Sequence, residues 1–541
     1  MRKRNLAKSL GVFAMLLLFL GMSPLTAKAE GWDNSSGSWR YLDKAGSAVS
    51  DTWRMSGDAW YYLGSDGTML TDQIFDTDKG TYYVDSSGRM AASQWKEVAS
   101  DNEEKGSSWY YFGEDGRAYK GKEDRVYTRE IDGKRYLFDD NGVMITGYVG
   151  SDGNVVDADT EYPFRDATYY FGPDGAMYAA QWVQYEAVGE ANLYSELAQR
   201  NYREYEQMWL YFDENGKKMY AKPGDNSKQK EINGQKYLFD ENGVMIPQLS
   251  VATRNATPSN SKAEIKYGSQ DNDGHLPSDY WTFTVPNQGM SEEDYDTGEY
   301  SWFRTKSDGA VIKDKIATVL GRKYSFDKIG RMQTGFVIMM ENNRFGIKFD
   351  VDEWTKDDWL MDVDKSPIPA IDRGTLYLFG TDELNDGSMI TGEVKVNIRG
   401  EEVVFGFKEN GKAIGNGGKL TRYKDKFYFN GLRLDADGSL GYGIVRDARA
   451  SALSTNSYIV VDKNGKIVTG TKILKDGEDN WVIVQNSRFL ARVSDSDKPK
   501  QKNGRFYHYD SSASRSDRWG AEITYATDGT NNLSSDFVLY E

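Results

Sequence analysis

Trp53-Arg54-Met55-Ser56-Gly57-Asp58-Ala59-Trp60-Tyr61-Tyr62-Leu63-Gly64-Ser65-Asp66-Gly67-Thr68-Met69 is followed by a second version of itself. In that copy Tyr82-Tyr83-Val84, Gly88 and Met90 stand 21 places after Tyr61-Tyr62-Leu63, Gly67 and Met69. A fixed period of this size marks a repeat architecture. Each unit reads as an aromatic strand, a tight turn on Asp-Gly or Ser-Gly, and a second short strand, which together make a β-hairpin. A lone hairpin is marginal in water, so the units must stack to bury their rings. The predicted fold is all-β: a β-solenoid of stacked β-hairpin repeats.

Outward from this stretch the frame persists. An earlier unit holds Gly31-Trp32, Trp39-Arg40-Tyr41-Leu42 and Gly46. Later units hold Trp109-Tyr110-Tyr111-Phe112, Tyr136-Leu137-Phe138, Tyr169-Tyr170-Phe171, Trp209-Leu210-Tyr211-Phe212 and Tyr237-Leu238-Phe239, with turn glycines at 116, 142, 175, 216 and 243. Their wider spacing places insertions on the flank of the stack. The longest, Tyr185 to Gln207, sets Leu193, Leu197 and Tyr205 at helical spacing and predicts a short amphipathic helix. Val251 to Tyr300 breaks the frame and reads as a linker or an irregular insert near the middle, with a strand at Tyr280 to Val285. The frame resumes at Trp302-Phe303 and continues in weaker form to Phe506-Tyr507-His508-Tyr509. The expected divisions are 1–29, 30–250, 251–300 and 301–541.

The first 29 residues have the order of a signal peptide: Arg2, Lys3, Arg4 and Lys8, an apolar run from Leu10 to Met22, then Ala27-Lys28-Ala29 as a small-x-small cleavage site before Glu30. The run is shorter than the ~20 residues a membrane span needs, and no later segment is apolar enough to be one. Secretion to the cell wall or cell surface is therefore expected, with no integral membrane segment after cleavage. The end of the chain, Phe537-Val538-Leu539-Tyr540-Glu541, shows no hydrophobic tail or basic cluster of the kind covalent wall sorting uses. There are no cysteines, so stacking must supply stability without disulfides.

With 67 Lys and Arg against 83 Asp and Glu the formal charge is −16, and loss of the leader's five basic residues leaves −21. Such a chain repels nucleic acid and anionic lipid surfaces in general. Attachment to a polyanionic envelope must then be specific, and a small cation would suit it.

Alternation along Trp-Tyr-Tyr-Phe puts the first and third side chains on one face and the second and fourth on the other. The second and fourth stay bulky in nearly every unit, as a stacking core requires. The third is Tyr41, Tyr62, Tyr83, Tyr111, Tyr170 and Tyr211 in the N-terminal half but Leu137, Leu238, Ser325, Leu378 and Gly406 elsewhere. A position free to become Ser or Gly is expected outside the core. Where it is aromatic, it can converge with the first-position Trp and the Trp that opens the unit. Electron-rich ring faces arranged this way hold a quaternary ammonium by cation–π attraction, worth roughly 0.5–2 kcal/mol per contact. The alternative is that these rings are packing residues. The Met two places after each turn glycine reads as hairpin packing that could also floor a cage.

The units Gly31-Trp32…Trp39-Arg40-Tyr41-Leu42 and Trp53…Trp60-Tyr61-Tyr62-Leu63…Asp66-Gly67-Thr68-Met69, with Gly142-Val143-Met144-Ile145-Thr146-Gly147-Tyr148, resemble the choline-binding, or cell-wall-binding, repeat family. The likeness is strong from Gly31 to about Ser250 and loose from Tyr300 to Glu541. It implies a solenoid of hairpins attached non-covalently to phosphocholine-bearing teichoic acid or another envelope polysaccharide. Carried over by residue, it implies one cage of Trp32, Trp39, Tyr62 and Met69 and a second of Trp53, Trp60, Tyr83 and Met90. In the next unit Thr81 replaces the first Trp and Phe75 the opening one. Trp95 with Trp109 and Trp182 with Trp209 repeat the tryptophan pair, but Leu137 and Leu238 stand where the third ring belongs. Related repeats in glucan-binding domains and in toxin receptor-binding ends bind sugars, so a host or surface glycan is the alternative ligand.

No cofactor and no catalysis are expected. His275 and His508 are the whole histidine complement, too few for a His-based metal cluster or triad. The acids Asp350, Asp352, Asp357, Asp358, Asp362 and Asp364 lack the spacing of a calcium loop and read as a solvated acidic segment. Nor does the repeat frame leave room for a catalytic domain.

Overall fold

The computed structural model describes residues 30–99, 106–122, 124–157, 159–186, 194–195, 200–201, 207–222, 228–253, 256–269, 273–351, 355–360, 374–381, 386–446, 458–524 and 538–540. The leader lies outside the described residues. The described chain is nearly all strand, in two-stranded hairpins followed towards the C-terminus by sheets of three and five strands. Among the described residues no helix is long and apolar enough to cross a membrane.

The hairpin in each repeat is not the one the Asp-Gly turn suggests. The aromatic strand Ala59–Leu63 pairs with the strand before it, Thr52–Ser56, in the register Trp53↔Tyr62 and Arg54↔Tyr61. After Asp66-Gly67 only one bridge forms, Leu63↔Met69. The reason is local: Gly64 N–H bonds the Thr68 carbonyl at 2.8 Å and the Asp66 carboxylate takes the Thr68 N–H at 2.8 Å, which closes a compact loop instead of opening a second ladder. The true hairpin turns sit earlier. Lys228–Ile232 and Gln235–Phe239 are joined by Asn233-Gly234, both at positive φ of 51° and 81°, the two-residue turn whose twist matches a strand pair.

What stacks the hairpins is a recurrent main-chain bond. The residue two places after each turn glycine donates its N–H to the carbonyl of the first-position residue one repeat back. Met69 bonds Trp39 at 2.8 Å, Met90 bonds Trp60 at 2.9 Å, Ala118 bonds Thr81 at 2.8 Å, Met144 bonds Trp109 at 2.8 Å and Met177 bonds Arg135 at 2.7 Å. Each hairpin thus satisfies polar groups its neighbour would otherwise leave open.

By compactness the chain divides into two units, one of residues up to Trp182 with Phe212–Lys218, the other of Val183–Tyr211 with Met219 onward. In the second unit the same bond recurs from Met245 to Trp209, Leu276 to Lys236, Val311 to Ile265, Met389 to Lys323 and Ala413 to Leu376. The frame therefore does not break between 251 and 300. Leu249–Val251 pairs with Ile265–Tyr267 in a hairpin whose side chains are all buried, and Gly274 is its turn glycine. The expected strand is present as Trp281–Thr284, paired with Ser301–Arg304. Aliphatic side chains in place of the ring motif hid this repeat from the sequence.

The core is made above all by the fourth positions, while second-position rings range from buried, as Tyr82 and Tyr136, to half-buried, as Tyr61 and Tyr110. Leu63, Val84, Phe112, Phe171, Phe212, Phe239, Phe303, Phe326 and Phe379 are fully buried. The third position departs from expectation: Leu137, Leu238, Ser325 and Leu378 are buried too. Gly406 is small because the Tyr428 ring lies where its side chain would be, 2.3 Å from an added Cβ. Loss of the ring at this position marks closer packing, not exposure.

In the insertion after Tyr185 the described residues form short strands, Tyr194–Ser195 paired with Arg200–Asn201, in place of the expected helix. Leu193, Leu197 and Tyr205 lie outside the described residues. From Lys315 onward hairpins give way to three-stranded sheets, such as Lys472–Lys475, Trp481–Gln485 and Arg488–Val493, and beyond Gly392 to one five-stranded sheet. Of the acidic segment, Asp352, Asp362 and Asp364 lie outside the described residues. Asp358 caps the helix Lys356–Leu360, its carboxylate accepting the Thr355 N–H at 2.8 Å and its own N–H bonding Thr355 Oγ1.

Candidate functional site

The site is built from the opening Trp of a repeat. Trp32, opposite Tyr41 in its hairpin, stands edge-on to three rings: Trp39 at 6.4 Å and 81°, Tyr41 at 5.6 Å and 89°, and Tyr61 of the next repeat at 5.5 Å and 74°. One face of Tyr41 already carries a cation, with the Arg54 guanidinium 5.2 Å from its centroid. That guanidinium is fixed by bonds to Thr52 Oγ1 and the Trp53 carbonyl. Trp39 is 43% exposed, so the corner of Trp32, Trp39 and Tyr61 opens to solvent.

Tyr62 is not part of that corner. Its ring lies 5.0 Å from Trp53 and 4.7 Å from Phe75, in the next site along. The offset is general: the ring that completes an opening Trp is the second-position ring of the following repeat, not the third. Trp53 meets Tyr82 at 4.9 Å, not Tyr83. Trp95 meets Tyr136 at 4.9 Å, so Leu137 deprives it of nothing. Within one strand, alternation shows which side chains share a face, but it does not show how far the next hairpin is shifted.

The second site differs from the first. Phe75 packs against Trp53, Tyr62 and Tyr82 at 5.8, 4.7 and 6.2 Å and fills the position a ligand would need. It does so because the residue opposite Tyr83 is Ile74, while Phe75 pairs with Tyr82. Trp60, 43% exposed, makes no ring contact with Trp53 among the described residues. Around Trp95, Tyr111 at 5.1 Å and Phe138 at 5.9 Å line the ring, and Trp109 stands 42% exposed. Trp182 belongs to the first compact unit and is half-buried; Trp209 belongs to the second and is 37% exposed.

Met69 and Met90 act between turns. An added Cβ on Gly88 would fall 2.7 Å from Met69 Cε, and one on Gly116 2.4 Å from Met90 Sδ, so each thioether packs on the next turn glycine. They space successive sites.

A further ring cluster went unread in the sequence. Trp281 stands edge-on to Trp302 at 6.3 Å and 85° and to Tyr324 of the next repeat at 5.1 Å and 70°, as Trp32 does to Trp39 and Tyr61, but here Tyr324 is buried and Phe326 stacks on Trp281 at 5.9 Å and 28°, so the corner is closed. Trp302 is 43% exposed. The signal was present as Trp281 and Trp302 in a strand pair, but Arg304 stands opposite Trp281 where the first repeat has Tyr41. Its guanidinium lies 5.8 Å from the Trp281 centroid.

Two phenols near the rings, Tyr83 and Tyr237, are held neutral above their ordinary range. Burial and the hydrogen bond to Asp72, at 2.7 Å, push Tyr83 up to about 12 from its ordinary 10. Burial and Asp273 do the same to Tyr237, also to about 12. A phenol whose pKa is higher folded than unfolded contributes stability that is complete below pH 10 and lost between pH 10 and about 12. Phenolate absorbance should therefore rise together with unfolding in that window. Tyr83→Phe is expected to make the loss shallower, and an unchanged alkaline profile would contradict this assignment.

The choline-binding repeat profile matches residues 47–89, and that of the cell wall binding repeat matches 103–118, 129–144 and 230–245. No curated protein matches the chain in sequence. Among solved structures, choline binding protein F from Streptococcus pneumoniae is 16% identical, with 71% of this chain and 98% of that chain covered and a TM-score of 0.31. CbpJ from Streptococcus pneumoniae is 15% identical, with 71% and 100% covered and a TM-score of 0.27. The modular autolysin LytC from Streptococcus pneumoniae, solved with a synthetic peptidoglycan ligand, is 17% identical at a TM-score of 0.30. There the match covers 56% of this chain and spans 53% of LytC. Scores of this size do not establish a common overall arrangement. The matched stretches within 47–245, with the stacked hairpins that contain them, show that this chain carries choline-binding repeats of the cell-wall-binding kind.

Proposed function

We propose that this protein is secreted, does no catalysis, and attaches non-covalently to the cell envelope by holding choline of phosphocholine-bearing teichoic acid between its repeats. The observation that carries this reading is the open corner of Trp32, Trp39 and Tyr61. A trimethylammonium group has no N–H to donate, so it needs ring faces and no fixed acceptor. Several weak sites on one chain reach a tight hold when they engage one polymer, because each binding event raises the effective concentration for the next. The leader-like N-terminus supports export.

Washing cells with millimolar choline is expected to release the protein. Retention through that wash would contradict choline as the ligand. A second reading rests on Phe283, Tyr300 and Trp302, which are 52%, 59% and 43% exposed. Phe283 lies 5.3 Å from Tyr300 and 4.9 Å from Trp302, tilted 33° from each, as an open platform suited to a sugar face. A carbohydrate-binding adhesin would be retained on glucan resin and would not elute with choline.

A further inference from the structure

The strands Lys500–Lys502, Arg505–Tyr509 and Trp519–Ile523 form a three-stranded sheet with two unlike faces. Phe506 and Ile523 turn inward and are buried with Ile483. The register places Lys500, Lys502, Arg505, Tyr507, Tyr509 and Trp519 together on the other face, with one acid, Glu522, among them. Trp519 is 38% exposed and stands edge-on to Tyr507 at 5.8 Å and to Tyr509 at 5.5 Å. The Lys500 ammonium lies 3.7 Å from the Tyr509 centroid and that of Lys502 5.2 Å from Trp519. The rings therefore hold the ammonium groups in place over the sheet.

In a chain of net charge −16, residues 498–519 carry six lysines and arginines against two aspartates. The acids nearby are engaged locally. Asp497 takes the Ser511 hydroxyl, Asp510 that of Ser512 and Asp517 that of Ser514, while Glu522 pairs with Arg505 at 3.0 Å. Neither Lys500 nor Lys502 has a carboxylate within ion-pair distance among the described residues. Lys500 and Arg518 also hold the Tyr509 phenol below its ordinary value, as a local positive field does.

We infer that this basic, aromatic face of the sheet is a second binding surface, which takes an acidic polysaccharide strand through its anionic groups. The ammonium groups of Lys500 and Lys502 meet the charges, and the exposed Trp519 edge contacts the sugar or polyol between them. Nucleic acid is disfavoured, because the Tyr509 and Trp519 faces a base would stack on are already met by lysines. This surface does not depend on the ring sites for choline, and its ligand need carry none.

The test uses the full chain and four immobilised probes: choline-free poly(glycerol phosphate), polygalacturonate, neutral dextran and a single-stranded oligothymidylate. Salt-sensitive binding to one or both acidic polymers is expected, phosphate and carboxylate arms distinguishing the source of the charge. The Lys500→Glu/Lys502→Glu variant should bind them about tenfold or more weakly, with a flatter salt dependence. Trp519→Ala should weaken binding with the salt dependence intact. The response to free choline, read in the same samples, should not change in either variant. Binding to none of the probes, equal binding to neutral dextran, tighter binding to the oligonucleotide, or wild-type affinity in the lysine variant would each overturn the assignment.

Discussion

Replacing Trp32 with alanine is expected to weaken choline binding at its site by about 2 kcal/mol or more, roughly thirtyfold. The ring is the common wall of that site. Trp32 touches Trp39, Tyr41 and Tyr61, so removal takes away one cation–π face and the wedge that orients the others. Trp53→Ala is the control, since its site is already filled by Phe75 and should contribute little to binding. Tyr61→Ala should weaken binding where Tyr62→Ala leaves it near wild type, because only Tyr61 reaches Trp32. Titration calorimetry with choline would show this directly. Equal losses for Tyr61 and Tyr62 would mean the rings are grouped wrongly.

The largest expected effect on stability is at a turn. Gly175 has φ of +75°, and a Cβ there would stand 2.1 Å from Met144 Sδ. Gly175→Ala must both strain the backbone and displace the thioether, at a combined cost of about 2–4 kcal/mol. Shortening the partner with Met144→Ala leaves a gap of its own, yet it relieves the overlap. The double variant should therefore be less destabilised than the two single losses added together, by about 1 kcal/mol or more. The midpoint of urea unfolding reads this coupling. Additive losses would mean that the methionine does not space the turns.

Much of the fold was legible because its period is carried by residues with a single physical job. Fourth-position Phe112, Phe171 and Phe239 can only be core, and the glycines of the loops can only be turns. What was not legible is the relation between neighbours. Strand alternation shows that Trp60 and Tyr62 share a face, but it does not show that Tyr62 pairs with Trp53, or that Tyr82 rather than Tyr83 comes to meet Trp53 from the next hairpin. The repeat at Leu249–Val251 and Ile265–Tyr267 is hidden in the sequence because Leu249, Val251 and Ile265 fill its core in place of the aromatic motif that marks the other units. The ring cluster at Trp281 is hidden with it. Third-position Leu137 and Ser325 misled for a related reason: small or aliphatic residues there mean tighter packing against a neighbour that the strand's own sequence does not show.

Crystals soaked in choline test the central claim most directly. A trimethylammonium group should be found among Trp32, Trp39 and Tyr61, with the Trp53 site empty. Choline seated at the Trp53 site, or absent from the Trp32 corner, would contradict it.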